Sequence, residues 1–284
     1  MKTQNPPIEA RAAAEAVCGP GMTLTLISNR RGSAVWQAAG EWRSVAVKVG
    51  TGPEGAVITA RETAALYAGL AGRGALLGHG RLDGVAWMVT PWREGASTWE
   101  ALSDVRCSDG DHSLAKNHMI DVCEAVARLH AAGWVHSDLQ PQHTIHTTDG
   151  VRFIDCSWAW HPRLLRPSNM FMGGLPHLLA PELAESIHEG DRPVAPSPSA
   201  EVYTLAAGLW WAITGDWPLD YAALDIDPRE LTAAELRHQI ATCKIPLRGP
   251  WMWHSVQDIL SRALIEPPER RPTAAELASS LRSS

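Results

Sequence analysis

Hydrophobic and polar residues alternate along the first third of the chain and follow a helical period over most of the remainder. Alternation with a period of two is typical of half-buried strands, and apolar residues three or four apart are typical of amphipathic helices. The predicted strands of the first third are 23–28, 34–38, 44–49, 76–82 and 85–90. The predicted helices of the same region are 8–17 and 60–70.

The remaining two thirds of the chain are predicted to be mainly helical. Residues 201–214 are apolar on nearly every side, which indicates a helix buried at the centre of a domain. Residues 187–200 are rich in Gly, Pro, Ser and charge, which predicts an exposed loop. Further amphipathic helices are predicted at 118–131, 256–264 and 273–281. We therefore expect one α+β domain with a strand-rich N-terminal lobe at 1–92, a helical C-terminal lobe at 93–284 and a hinge near 91–95.

Composition and charge exclude several classes of function. The net charge of −6 argues against nucleic-acid binding, which needs a concentrated basic face. The five cysteines lack CxxC spacing, so neither a disulfide framework nor a cysteine zinc site is indicated. The first residues lack the apolar core of a signal peptide, and the longest apolar run, 205–213, is too short to cross a bilayer. We therefore expect a cytoplasmic protein with no membrane partner.

Tryptophan is unusually frequent, with 13 residues against three tyrosines and two phenylalanines. We expect most of these tryptophans to fill core positions, because Trp is highly buried on average. The alternative is an aromatic surface that binds a peptide, a nucleobase or a partner protein. The scatter of the tryptophans along the chain favours the core interpretation.

Two aspartates occupy positions that suit phosphoryl transfer. Asp138 lies in the loop 136–143 after a predicted helix, and Asp155 follows the apolar run 151–154. One carboxylate can orient or deprotonate an acceptor hydroxyl, while the other can hold Mg²⁺ on a nucleotide. These two residues are therefore the candidate centre of the chemistry.

Several segments resemble the protein-kinase family. The loop His136-Ser137-Asp138-Leu139-Gln140-Pro141-Gln142-His143 is similar to the catalytic pattern H-R-D-L-x-x-x-N, and Val45-Ala46-Val47-Lys48 is similar to the V-A-I-K strand. Later segments similar to family motifs are Leu179–Glu182 (A-P-E), Glu201–Leu205 (D-V-Y-S-L) and Pro267–Thr273 (the R-P-T segment). The resemblance extends over about residues 22–281 and implies a two-lobed protein-kinase-like fold with phosphotransferase activity.

The resemblance implies a role for each central residue. It implies ATP as the nucleotide, with Mg²⁺ or Mn²⁺, and an ion pair in which Glu62 holds Lys48 against the phosphates. Asp138 is the implied catalytic base, and His136 supports the loop around it. Asp155 is the implied metal ligand, although its triplet reads Asp-Cys-Ser where the family has Asp-Phe-Gly.

The catalytic loop departs from the family pattern at three positions. Ser137 replaces an arginine that normally ties this loop to a phosphate on the activation segment, so activation by such a phosphate is not expected. Gln140 stands where protein-serine kinases carry a lysine. His143 replaces the Mg²⁺-binding Asn; it could bind Mn²⁺, hold a metal through water, hydrogen-bond Asp138, or have a structural role only.

The nucleotide pocket is the least family-like part of the chain. The glycine-rich loop G-x-G-x-x-G-x-V falls on 28–35, where Ser28, Arg30 and Ser33 occupy the glycine positions. Since glycines let backbone N–H groups approach phosphates closely, the serine hydroxyls are expected to contact phosphate instead. Besides Lys48 and Glu62, the implied cofactor-binding residues are Ser28, Ser33, Val35, Ala46, Thr90 and Trp92.

We therefore expect an ATP-dependent phosphotransferase that acts on a hydroxyl, such as Ser or Thr of a protein or of a biosynthetic precursor peptide. A small-molecule hydroxyl is an alternative acceptor. A pseudokinase that serves as a nucleotide-binding or scaffold partner is the rival: loss of the glycines, Asn and Lys favours it, and persistence of both aspartates favours the enzyme. The family pattern also implies that Glu182 pairs with Arg271.

Overall fold

The computed structural model describes residues 5–107, 110–249, 251 and 253–284. Residues 1–4, which belong to the segment inspected for a signal peptide, lie outside the described residues. None of the helices in the described part of the chain combines the length and the apolar character that a membrane span requires.

The chain divides into two units. The first comprises the described residues of Met1–Glu94 together with Asp155–Trp158, and the second comprises Gly95–Ile154 and the described residues of Ala159–Ser284. The division after Glu94 lies two residues beyond the boundary expected from the sequence. The sequence did not predict that Asp155–Trp158 belongs with the first unit.

The described residues of the first unit form a five-stranded antiparallel sheet with two helices. Its strands are β1 (Thr23–Arg30), β2 (Ser33–Ala39), β3 (Ser44–Thr51), β4 (Gly78–Leu82) and β5 (Val85–Pro91), in the spatial order β1-β2-β3-β5-β4. The helices are α1 (Ile8–Cys18) and α2 (Gly52–Tyr67). Helix α2 begins eight residues before the predicted start, because Pro53 in its first turn supplies a backbone angle suited to a helix start.

The two faces of this sheet differ in chemistry because side chains alternate along each strand. One face is apolar and buries Val45, Val47 and Val49 of β3 against the small residues of α1. The other face carries Lys48 and packs against α2. The alternation in the sequence therefore separates the hydrophobic core from the face of the sheet that carries Lys48.

The second unit is mainly helical, with one small sheet among its described residues. Its helices are α3 (Thr98–Ala101), α4 (Ser103–Cys107), α5 (His112–Ala131), α6 (Pro181–Glu189), α7 (Pro198–Thr214), α8 (Ala233–Ala241), α9 (His254–Ile265) and α10 (Ala274–Arg282). The small antiparallel sheet consists of β6 (Ala96–Ser97), β7 (Thr144–Thr147) and β8 (Gly150–Phe153). Helix α7 is buried along most of its length, as its apolar composition predicts. The α+β, two-lobed fold class expected from the sequence is confirmed.

The exposed loop predicted at 187–200 is wrong at both ends. Helix α6 continues through this segment to Glu189, with Ile187 buried, and α7 begins at Pro198. Both helices start with proline in the first turn, where its missing N–H costs nothing. Proline was counted as a breaker, although here it marks a helix start. Helix α8 was not predicted.

Candidate functional site

Lys48 of β3 forms a buried ion pair with Glu62 of α2. The Nζ of Lys48 lies 2.5 Å from Oε2 of Glu62, and both side chains are at most 10% exposed. The strand directs Lys48 to the polar face, and the register of α2 places Glu62 opposite it. The ion pair that the sequence predicts is therefore present.

Asp155 and Ser157 extend this pair into a network of four side chains. Lys48 Nζ donates to Asp155 Oδ1 at 2.7 Å and to Ser157 Oγ at 3.1 Å. The Ser157 hydroxyl also lies 3.0 Å from both carboxylates, and Glu62 Oε1 accepts from the backbone N–H of Cys156 at 3.0 Å. Asp155 adopts a left-handed backbone with φ of 54°, which turns its carboxylate toward the lysine.

The electrostatics of this network favour a charged lysine and leave a negative balance. Burial by itself lowers the pKa of Lys48, but Coulomb attraction to Glu62 and Asp155 outweighs it, so the pKa of Lys48 is raised. One cation therefore faces two carboxylates. Glu62 is enclosed, whereas 45% of the Asp155 side chain is exposed. Asp155 is the carboxylate of the two that a ligand in solvent can reach.

The residues expected to hold the nucleotide share the face of the sheet that carries Lys48. Val35 is paired directly with Lys48, and Thr90 with Ala46, and directly paired residues point to the same side. Ser33 lies two residues before Val35 on the same strand, and Ser28 of β1 is paired directly with Val35. Both serines therefore also lie on this face. Each of these side chains except Lys48 is half-buried.

Trp92 continues this edge of the sheet beyond β5. Its backbone N–H donates to the carbonyl of Ser44 at 3.2 Å, which fixes the start of the predicted hinge against β3. The amide of Trp92 is therefore used inside the protein.

A tight hairpin replaces the glycine-rich loop. Arg31 and Gly32 form the two-residue turn between β1 and β2, both with positive φ, as a type I′ turn requires. The Gly32 carbonyl accepts from Thr51 N–H at 2.7 Å and lies so close to Gly55 that a Cβ at position 55 would overlap it. The glycines thus serve backbone packing between the hairpin tip and the start of α2.

In the second unit, His136 organises the loop that carries Asp138. Its Nε2 lies 3.1 Å from the carbonyl of Ile154, so the ring must donate there. Its Nδ1 then accepts from the backbone N–H of Asp138 at 3.3 Å. Both ring nitrogens are used by the backbone, and the residue is 0% exposed. His136 is therefore suited to position the loop rather than to transfer protons.

Glu201 at the start of α7 holds the backbone of the loop that carries Asp138. Its Oε1 accepts from the backbone N–H of Ser137 at 2.6 Å, and its Oε2 lies 2.8 Å from Nε2 of His130 on α5. The carboxylate is almost fully buried, at 2% exposure. Ser137 has a φ of 69°, and its hydroxyl is buried without a hydrogen-bond partner among the described residues.

The carboxylate of Asp138 is partly enclosed. Gln140 Nε2 donates to Asp138 Oδ1 at 2.8 Å, so the residue that replaces the family lysine contacts the proposed base directly. The backbone of Gly174 approaches the same oxygen so closely that a Cβ at position 174 would overlap it. The Oδ1 atom of Asp138 is therefore enclosed by the amide of Gln140 and the backbone of Gly174.

His143 makes a hydrogen bond within the loop. Its Nδ1 lies 2.8 Å from the carbonyl oxygen of Asp138, so Nδ1 carries a proton and donates to that oxygen. Of the roles considered for His143, hydrogen bonding to Asp138 is the one that this geometry shows. Its Nδ1 is 3.8 Å from the Asp138 carboxylate.

The ion pair expected between Glu182 and Arg271 is also present. The two Nη atoms of Arg271 lie 2.7 Å and 3.2 Å from the two oxygens of Glu182, which is a bidentate contact. Arg271 also donates to the carbonyl of Ser199 at 2.9 Å. The pair ties α6 to the segment before α10.

Curated proteins similar to this chain are protein kinases, although no protein-family model matches it. Sperm motility kinase 1 from Mus musculus is 26% identical over 192 residues, which are 67% of this chain and 36% of the relative. Sperm motility kinase 2A from the same organism is 32% identical over 194 residues, with 67% and 34% covered. The probable serine/threonine-protein kinase PkwA from Thermomonospora curvata is 24% identical over 197 residues, with 69% and 24% covered.

The chain belongs to the protein-kinase-like superfamily. It spans about a third of the length of the sperm motility kinases that it matches. The kinase motifs and the Lys48–Glu62–Asp155 geometry agree with this membership.

Sequence reasoning missed several residues of the site. Ser157 was considered only as a loss of glycine, although it contacts every member of the Lys48 network. Glu201 was matched to a family aspartate without its partner His130. Gly174 was not considered, and the Gly173-Gly174 pair was the available signal, since adjacent glycines often mark close backbone approach.

Proposed function

We propose that this chain is an ATP-dependent phosphotransferase that transfers the γ-phosphate of ATP to a hydroxyl acceptor. The observation that carries the proposal is the buried Lys48, held between Glu62 and Asp155. In protein kinases a lysine–glutamate pair of this kind positions the nucleotide phosphates, and a nearby aspartate holds Mg²⁺. The Lys48–Glu62 ion pair is costly to bury, so its presence beside the exposed carboxylate of Asp155 supports a role in binding.

The side chains on the face of the sheet that carries Lys48 support the proposal that this unit binds a nucleotide. Lys48 would neutralise phosphate oxygens, and the hydroxyls of Ser28 and Ser33 on the same face would donate to them. Val35 and Ala46 offer apolar contact to an adenine ring. Thr90 would lie at the back of the adenine pocket, with Pro91, Trp92 and Arg93 as the hinge.

The donor set of the first unit fits a hard cation. Asp155 is a half-exposed carboxylate in a cluster with excess negative charge, which is the oxygen ligand that Mg²⁺ prefers. Bound Mg²⁺ would neutralise charge on the β- and γ-phosphates. His143 is a less suitable ligand for Mg²⁺ because imidazole favours softer metals, and Mn²⁺ is the better match if its Nε2 binds metal.

Asp138 would orient the acceptor hydroxyl and accept its proton. Its backbone is fixed by His136, and its side chain is held by Gln140. Ser or Thr of a protein is the acceptor class that the names of the serine/threonine-protein kinase relatives favour. Ser or Thr of a precursor peptide and a small-molecule alcohol are the other acceptor classes.

The pseudokinase remains the second candidate function because two contacts favour it. The hairpin tip at Gly32 packs against α2 rather than forming a glycine-rich loop, and the amide of Gln140 already satisfies one oxygen of Asp138. A protein with these contacts could bind nucleotide and present a surface to a partner without turnover.

Mass spectrometry of acceptors incubated with the protein and ATP tests the proposal. The acceptors are a Ser/Thr peptide library, proteins encoded beside the gene and a set of small alcohols, each with Mg²⁺ and separately with Mn²⁺. Asp138→Asn and Asp155→Asn run in parallel, with Asp258→Asn on the exposed face of α9 as the matched control.

A phosphate added by the wild type and the control, and absent with both site variants, supports the transferase. Transfer that persists in Asp138→Asn would contradict the assigned base. No transfer with either metal, while nucleotide still binds, supports the pseudokinase.

A further inference from the structure

Two histidines and an aspartate of the second unit converge outside the kinase-like loop. His118 and Asp121 lie three residues apart on α5, so they share one face of that helix. His146 on β7 faces them, and one ligand atom from each of the three residues lies within 4.8 Å of the others. The two imidazole rings meet edge to face, with centroids 4.6 Å apart.

We propose that His118, Asp121 and His146 bind one Zn²⁺ ion, with water at a fourth position. Two imidazoles and one carboxylate are a ligand set that zinc uses, and sites with three protein ligands keep a position for water. Zn–N and Zn–O bonds of about 2 Å place tetrahedral ligands about 3.3 Å apart, so each pair of ligand atoms needs to close by at most about 1.5 Å. His118 and His146 are half-buried and Asp121 is exposed, which gives the ion a path from solvent.

Hydrogen bonds behind His146 prepare it as a ligand. Thr144 Oγ1 donates to the carbonyl of Pro141 at 3.3 Å, so its hydrogen is used there. The 2.6 Å contact between the hydroxyls then requires Thr98 to donate to Thr144. The 3.0 Å contact from Thr98 to His146 Nε2 therefore requires the ring to donate.

This series of donors and acceptors is the only assignment in which all three contacts are hydrogen bonds. It places the proton of His146 on Nε2 and the lone pair on Nδ1, where a metal can bind. Histidine ligands usually donate their other N–H to such an acceptor, which fixes the ring orientation.

The site connects to the loop of Asp138 through these hydrogen bonds. Thr98 and Thr144 are each 1% exposed, and Pro141 begins the short 3₁₀ turn that ends at His143. An ion bound here would hold α5 against β7 and keep the hydrogen bonds from His146 through Thr98 and Thr144 to Pro141 aligned. We assign it a structural role, separate from the Mg²⁺ or Mn²⁺ of phosphoryl transfer.

Titration calorimetry of untagged full-length protein with ZnCl₂ tests the site. The expected result is one ion per chain, with binding lost in His118→Gln and in His146→Gln. His79→Ala is the matched control, since His79 is an exposed histidine on β4 outside any such cluster among the described residues. Thr98→Val should weaken binding about 10- to 100-fold, because it removes the acceptor of the His146 N–H.

Co²⁺ substitution identifies the ligands without relying on variants. Visible bands of tetrahedral Co²⁺ without a thiolate charge-transfer band are expected. A thiolate band would assign the ion to exposed Cys107 or Cys243 and overturn the proposal. Absence of Zn²⁺ binding, or binding unchanged in both histidine variants that circular dichroism shows to be folded, would overturn it as well.

Discussion

We predict that Glu62→Gln lowers the stability of the wild type but raises the stability of the Lys48→Met variant. Lys48→Met removes the cation and leaves Glu62, whose side chain is 5% exposed, as an uncompensated buried charge. Removing one partner of a buried pair costs about 3–5 kcal/mol of unfolding free energy. Glu62→Gln in the wild type loses a hydrogen bond between charged groups, which costs about 1.5–3 kcal/mol.

In the Lys48→Met background the same Glu62→Gln substitution should be stabilising. The amide retains an oxygen to accept from the Cys156 N–H, and it removes the buried charge that Lys48 no longer balances. The double variant should therefore be more stable than Lys48→Met alone, and the coupling energy between the sites should be at least the wild-type cost of Glu62→Gln, about 1.5–3 kcal/mol.

Urea unfolding of the four proteins, followed by far-UV circular dichroism and tryptophan fluorescence, measures this cycle. Lys244→Met, an exposed lysine, is the matched control and should change stability by less than about 0.5 kcal/mol. If Glu62→Gln destabilises both backgrounds equally, the claim that Lys48 neutralises Glu62 is wrong.

Three further predictions concern backbone approach and pH. Gly174→Ala should lower phosphotransfer by about 10²-fold without unfolding the chain, because its Cβ would displace the Asp138 carboxylate; steady-state kinetics measures this. Gly55→Ala should cost about 1–3 kcal/mol in urea unfolding, because its Cβ would overlap the Gly32 carbonyl. Burial lowers the pKa of His177 to about 4, below the value of about 6.5 in the unfolded chain, so the unfolded state binds more protons between these pH values. Stability should thus fall by about 1–2 kcal/mol as pH drops through this window, after allowance for partial solvent screening, and His177→Phe should flatten the dependence in urea unfolding from pH 7 to pH 4.

Matched variants separate these effects from general damage. Gly249→Ala introduces a methyl group into open space, so activity and stability should both be unchanged. Phenylalanine at position 177 can keep the ring stack on Trp217, whose centroid lies 4.3 Å from that of His177. Equal loss of activity in Gly174→Ala and Gly249→Ala, or an unchanged acid slope in His177→Phe, would contradict the respective argument.

Periodicity and motif spacing predict much of the first unit. Alternation along β3 alone places Lys48 on the face opposite Val47, and the helix after it brings Glu62 within reach. These are local properties, since a strand has a period of two and the chain between them is short. The register that places Ser28, Val35 and Thr90 on one face follows from hairpin connections that the sequence also indicates.

Contacts between distant segments could not be read in this way. The carboxylate of Glu201 reaches the Ser137 N–H across 64 residues, and Gly174 meets Asp138 across a segment with no periodic signal. The sequence did not predict the proposed Zn²⁺ ligands, because a search for cysteine pairs does not detect imidazoles on α5 and β7. Such sites are assembled by tertiary packing, and no local spacing records them.

ADP formation from ATP, measured in wild type, Asp138→Asn and Asp155→Asn with Mg²⁺ or Mn²⁺, tests the central claim most directly because it requires no known acceptor. The account predicts slow metal-dependent turnover that rises when an acceptor is added, and a loss of about 10²-fold or more in both variants. Nucleotide binding without turnover under either metal, or equal turnover in all three proteins, would contradict the assignment of this chain as a phosphotransferase.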